Sequence, residues 1–172
     1  GFFLAFPLQV ANMVAMVVNN GVIYKPHLLK EVRDPVTNSV ISREQPSVLH
    51  KSNISPEVFS TVREHMRYVI TNGTAQFPMK NKTVQLAGKT GTAEVGLLDR
   101  WHSWMVAYGP YDAPADEAIV VVVMVEASNP WEWWAPYATN IIFQGVFADQ
   151  TYDEAVGDLG FKYLSGPRGR QE

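Results

Sequence analysis

Cysteine is absent from the 172 residues, which excludes disulfides and thiolate metal sites together. Charge is sparse as well: 18% of residues are charged against 47% apolar, and the formal net charge is −3. That balance speaks for a packed body rather than a disordered one, and the length suits one domain with a real core. It gives no electrostatic reason to expect nucleic acid, and no basic run is interleaved with aromatics. The four histidines, His27, His50, His65 and His102, lack metal-ligand spacing and read as surface or satisfied side chains. Neither a metal nor another cofactor is expected. Long apolar runs are missing too, since Ile119 to Val125 falls far short of the roughly 20 residues of a spanning helix. Gly1 to Pro7 contain neither an initiating methionine nor a basic leader, so the chain is expected to be cut from a longer polypeptide.

What is present reads as helix, short strands, helix, meander, helix. Pro7 is a good first helical residue because its missing N–H would be unpaired there anyway. Val10, Met13, Val14 and Val17 follow at helical spacing until Asn20-Gly21 stops them. Phe6 stands where a capping side chain normally would, so that helix starts uncapped. Asp34 to Asn38 has the composition of a hairpin turn between arms at Leu28–Val32 and Ser39–Ile41. Ser55-Pro56-Glu57 opens a second helix, whose apolar face is expected to be Val58, Val62, Met66, Val69 and Ile70, with Asn72-Gly73 as its end. Val84 to Val95, Trp101 to Tyr108 and Ile119 to Glu126 then form three strands joined by short turns, an antiparallel meander. The last is apolar on successive residues, as in a strand covered on both faces. Tyr137 to Ala148 should close over the sheet with Ile141, Ile142, Val146 and Phe147 inward. The tail beyond Asp149 is expected to be loosely held. The fold class is therefore α+β, with residues 1–149 as the body and 150–172 as a tail.

Chemistry concentrates in Gly88-Lys89-Thr90-Gly91-Thr92-Ala93-Glu94. A phosphate-binding loop would need glycine where Thr83 stands and a helix after the lysine, and both are missing. The alternative is the K-T-G element of serine transpeptidases and β-lactamases, which work with S-x-x-K and S-x-N. On a strand it makes physical sense. Lys89 presents a fixed ammonium, Gly91 clears room for a substrate along the strand edge, and Thr90 and Thr92 offer hydroxyls to a carboxylate. The Thr92 N–H can help stabilise an oxyanion. Alone, a K-T-G tripeptide could equally be a functionless edge strand.

The surroundings decide between these readings. Pro7 to Ala11 with Asn19-Asn20-Gly21, Met66 to Ile70 with Gly73-Thr74-Ala75, Gly88 to Glu94, Trp101 to Trp104, and Tyr108 to Asp112 occur in the order seen in class B penicillin-binding proteins. The series continues through the β-branched run to Glu126 and Ala135-Pro136. From Gly1 to Asp149 the chain resembles the C-terminal part of their transpeptidase domain. His102-Ser103-Trp104 and Pro110-Tyr111-Asp112 resemble the elongation-type branch, the penicillin-binding protein 2 group. Gly109 departs from the commoner alanine.

None of the nine serines has lysine three residues on or asparagine two on, and no Tyr-x-Asn substitute exists. The resemblance places both missing motifs upstream, so the chain alone should be catalytically silent and its first partner is the upstream part of the same protein. By the same resemblance, Lys89 would contact the S-x-N serine and the substrate carboxylate, and Thr90 and Thr92 would bind that carboxylate. Gly91 would allow close approach, and the Thr92 N–H would be an oxyanion donor. Glu94 would be an outward strand residue only. Peptidoglycan stem peptides would be the substrate and β-lactams the acylating inhibitors. Elongation-machinery proteins would be partners, and the site would face the periplasm from an anchor in the bacterial inner membrane. Other classes are a β-lactamase or β-lactam-sensing domain, and a non-catalytic scaffold. Trp131-Glu132-Trp133-Trp134 either packs over the sheet end, or overhangs the groove beside Lys89, or meets a partner protein or a membrane surface.

Overall fold

The computed structural model describes residues 4–96, 98, 100–128 and 134–161. Helix α1 spans Pro7–Val18, and a two-ladder hairpin region follows: β1 (Val22–Tyr24), β2 (Glu31–Arg33), β3 (Val40–Arg43) and β4 (Val48–Lys51). Then come α2 (Pro56–Thr71), the strands β5 (Ala87–Glu94), β6 (Trp101–Gly109) and β7 (Ile119–Ser128), α3 (Trp134–Ala148) and α4 (Tyr152–Asp158).

β5, β6 and β7 form an antiparallel sheet in that order, the meander expected from the short turns. Partners across the ladder share a face, so the register sorts side chains into two layers. Met105 and Ala107 of β6 join Val121, Val123 and Val125 of β7 beneath Ala135 and Phe143 of α3. On the opposite face Val106 and Tyr108 meet Val120 and Val122, covered by Val10, Val14 and Val17 of α1. β7 thus has apolar partners on both faces, which is why its sequence does not alternate. α2 serves both layers, with Ile70 in the first and Met66 in the second.

Several local expectations needed correction. In α1 Met13 is exposed and Val14 is the fully buried side chain. In α2 Val58 is exposed and Phe59 is buried instead. α3 begins at Trp134, earlier than predicted, and its Ile142 and Val146 face solvent while Thr139, Asn140, Phe143 and Gln144 are buried. Hydrophobicity alone set that helix out of phase, because its buried polar residues are hydrogen-bonded: Asn140 Nδ2 donates to Pro78 O and Lys80 O, and Thr139 Oγ1 to Ala135 O. Such pairing removes most of the cost of burying them.

Phe6 lacks a side-chain cap, as expected, but its backbone N–H donates to Gln9 Oε1 at 2.8 Å. Ser55 occupies the N-cap of α2 without capping it; the nearby hydroxyl is the main influence holding the Glu57 carboxyl below its ordinary pKa. The predicted turn at Asp34 is real: the carboxylate accepts from the Val36 and Thr37 N–H groups at 2.9 and 2.7 Å, and Asn38 takes φ +57°. The arms beside it lie two or three residues from the predicted places at their outer ends, and the pairing of β1 with β4 was not foreseen. Residues 152–161 are ordered against the body, contrary to the loose tail expected. Glu154 accepts from the Thr151 N–H and hydroxyl at the start of α4, and Ala155, Val156 and Phe161 are buried. Phe161 meets Tyr137 of α3 edge-on at 4.9 Å.

Candidate active site

β5 is an edge strand of the three-stranded sheet, so one rim of the motif has no ladder partner among the described residues. Its register pairs Lys89 with Val106, Thr90 with Met105, Gly91 with Trp104 and Thr92 with Ser103. Thr90 and Thr92 therefore stand together on the α3 face, and Lys89 and Gly91 on the α1 face. Lys89 is exposed and reaches the rim by folding back along its own strand, where Nζ donates to Thr90 O at 3.0 Å. All four residues line one cleft of about 240 Å³ together with Ser103, Trp104 and Pro136. An edge strand can bring residues of opposite faces into one cleft because a long side chain at the rim can turn around it.

Gly91 has a second reason to be glycine. A Cβ there would stand 3.1 Å from Trp104 Cβ, tighter than ordinary contact, so the strand could lie this close to β6 only by displacing one of them. Ser103, the centre of His102-Ser103-Trp104, has no role legible from the sequence. It is buried beside Thr92 on the neighbouring strand, and its Oγ accepts from the Ala135 N–H at 3.3 Å. That bond ties the first turn of α3 to the floor of the cleft. Period-two alternation alone could have put Ser103 on a covered face, but only the register shows it opposite Thr92.

Glu94 is exposed at the end of β5. Trp134 opens α3, and the rest of Trp131-Glu132-Trp133-Trp134 lies outside the described residues. A larger cleft of about 420 Å³ between α2 and residues 76–86 has core side chains Ile70, Met79 and Leu86 in its wall and none of the motif. Among the described residues the largest pKa perturbation also lies elsewhere: burial pushes the Tyr108 phenol above its usual value, with a smaller contribution from Tyr111. Both argue from packing, and the motif cleft is the place where hydroxyls and an ammonium converge.

The penicillin binding protein transpeptidase domain family matches residues 4–147. The chain belongs to that family. Among curated relatives, the peptidoglycan D,D-transpeptidase MrdA of Haemophilus influenzae is 29% identical over 83% of this chain and 24% of its own length. Penicillin-binding protein 2A of Bacillus subtilis is 34% identical over 74% of this chain and 19% of its own. The chain thus spans a quarter or less of these relatives. Penicillin-binding protein 2B of Streptococcus pneumoniae has the same fold, with a TM-score of 0.68 and 25% identity over 94% of this chain and 25% of that one. As a piece of a penicillin-binding transpeptidase domain, the meander with α1 and α3 on its two faces is the α+β architecture read from the sequence. Among the described residues no helix is long and apolar enough to cross a membrane, and no group of three or more His, Cys, Asp or Glu could hold a metal.

Proposed function

We propose that this chain is the C-terminal part of a D,D-transpeptidase that cross-links peptidoglycan stem peptides through an acyl-serine intermediate, and that β-lactams acylate the same serine. The observation that carries the reading is the placement of Thr90 and Thr92 on one face of an open strand edge, with Lys89 on the rim of the same cleft. Two hydroxyls at i and i+2 suit the two oxygens of a carboxylate, and an exposed ammonium adds the opposite charge.

In this reading a serine from another part of the intact protein attacks the carbonyl of a stem peptide lying along β5. The proton passes to the base of that serine, and the C–N bond to the terminal residue breaks as the leaving amine takes a proton. An acceptor amine then attacks the acyl-serine and regenerates the hydroxyl. Lys89 orders the proton-transfer network and contacts the S-x-N serine and the carboxylate, while Thr90 and Thr92 bind the carboxylate. Gly91 leaves the edge clear, and the Thr92 N–H faces the oxyanion. A β-lactamase or sensor domain is disfavoured because the relatives above bear D,D-transpeptidase and penicillin-binding names.

The same proposal anchors the intact protein in the bacterial inner membrane, with its site on the periplasmic side. A complex of penicillin-binding protein 2 with MreC from Helicobacter pylori shares the fold, with a TM-score of 0.60 at 21% identity, and an elongation-machinery partner of that kind is part of the proposal. The test is labelling of the intact protein with a fluorescent penicillin, followed by mapping of the adduct. A covalent adduct on a serine outside this chain supports the reading, and no adduct anywhere refutes it. Lys89→Ala should slow acylation at least tenfold, given that hydrogen bonds to charged groups contribute about 1.5–3 kcal/mol.

A further inference from the structure

Thr74 lies outside the motif, in the turn after α2. The Asn72 N–H donates to Tyr68 O at 2.9 Å and the Ala75 N–H to Val69 O at 3.1 Å, so the chain folds back over the helix end. A Cβ on Gly73 would stand 2.8 Å from Val69 Cα, and glycine is what lets the turn lie so close. Ala75 is thereby buried in the α3-side core, and Thr74 is left exposed beside β5. Its hydroxyl oxygen is 3.4 Å from that of Thr90, a contact between the helix-end turn and the middle of the motif.

The chemistry of a carboxylate gives this contact a direction. An ionised carboxylate only accepts hydrogen bonds, and a threonine hydroxyl has one hydrogen to donate. Once Thr90 gives its hydrogen to a carboxylate, its oxygen can be addressed only by a donor, and the Thr74 hydroxyl is within reach to supply one. We propose that Thr74 is a positioning residue: its O–H donates to Thr90 Oγ1 and holds the Thr90 hydrogen toward the substrate carboxylate. The proposal rests on the reading of Thr90 as a carboxylate ligand. At 3.4 Å the pair is long for two hydroxyls. It tightens when an anion draws the Thr90 hydrogen, because each bond in such a chain polarises the next. No covalent bond changes.

The experiment compares acylation of the intact protein by benzylpenicillin and by its methyl ester, which lacks the anionic carboxylate. Thr74→Val keeps the shape and removes the hydroxyl; exposed at a turn, it should leave the thermal midpoint in place. It is expected to lower the second-order acylation constant for benzylpenicillin about three- to tenfold, the worth of one hydrogen bond, and to leave the ester nearly unaffected. Thr74→Ser, which keeps the hydroxyl, should behave as the wild type. Equal losses on both probes, or no loss on either, overturn the proposal. Thr90→Val separates the two levels. If it discriminates between the probes and Thr74→Val does not, the positioning role falls and the carboxylate reading stands. If Thr90→Val does not discriminate, the carboxylate reading falls and the positioning role with it.

Discussion

Replacing Asn140 with alanine should be among the most damaging single changes on α3, although the residue is polar and far from the motif in sequence. The side chain is fully buried. Its Nδ2 donates to Pro78 O and Lys80 O, each at 3.0 Å, and its Oδ1 accepts from Asn81 Nδ2 at 2.8 Å. Asn81 in turn accepts from the Thr83 and Val84 N–H groups at 2.8 and 3.0 Å. Together they clamp to α3 the segment that leads into β5. Alanine removes three bonds worth about 1 kcal/mol net each and leaves a void, but Asn81 keeps Gln144 Oε1 as an acceptor at 3.1 Å and is not orphaned. The expected cost is at least about 3 kcal/mol, a fall of roughly 6–12 °C or more in the thermal midpoint of a domain of this class. Urea and thermal unfolding of the intact protein would measure it. Asn140→Asp should lose as much or more, because it turns a carboxylate oxygen toward two carbonyls. Gln144→Ala should cost less, about 2 kcal/mol, from the loss of one of Asn81's two acceptors and the void left by a buried side chain. A shift below about 0.5 kcal/mol for Asn140→Ala, or an Asn140→Asp protein as stable as wild type, would refute the clamp.

Gly91→Ala places a Cβ 3.1 Å from Trp104 Cβ and should push β5 outward at a cost of about 1 kcal/mol or slightly more. Penicillin acylation of the intact protein should fall while most of its thermal stability survives; wild-type acylation would count against the role of this edge. Acid should loosen the start of α4. Bonds from the Thr151 hydroxyl and then its N–H hold Glu154 below the ordinary value of 4.5. A carboxylate with a depressed folded-state pKa stabilises above its unfolded value and loses that contribution as pH falls through the folded one. Hydrogen exchange at the Ala155 amide, which bonds Thr151 O at 3.0 Å, should therefore be slowest relative to its intrinsic rate above pH 4.5 and quicken on acidification. Glu154→Gln should flatten that dependence, and an unchanged acid profile in this variant would dismiss the cap as its origin.

Much of the fold was legible in the chain because the signals were local. Pro7 and Asn20-Gly21 bracket α1, Ser55-Pro56 and Asn72-Gly73 bracket α2, and the unbroken apolar run Ile119 to Val125 of β7 announced a strand covered on both faces. The motif was legible for the same reason, since a lysine, two hydroxyls and a glycine in four residues keep their order whatever surrounds them. Inward faces were less legible. Val58 was preferred to Phe59, and Ile142 and Val146 to Asn140 and Gln144, because burial of a polar side chain depends on acceptors contributed by a distant segment. Pro78 O and Lys80 O cannot be seen from α3.

The motif itself shows the division. Sequence alone determined that Lys89, Thr90, Gly91 and Thr92 sit on a strand, because their flanks are strand-forming and their glycine disfavours a helix. Only the tertiary structure decided that this strand is an edge, that Ser103 stands opposite Thr92, and that Thr74 meets Thr90. Pairing order and register are settled by which apolar faces α1, α2 and α3 can cover at once, a condition on the whole packed chain that no single stretch of it contains.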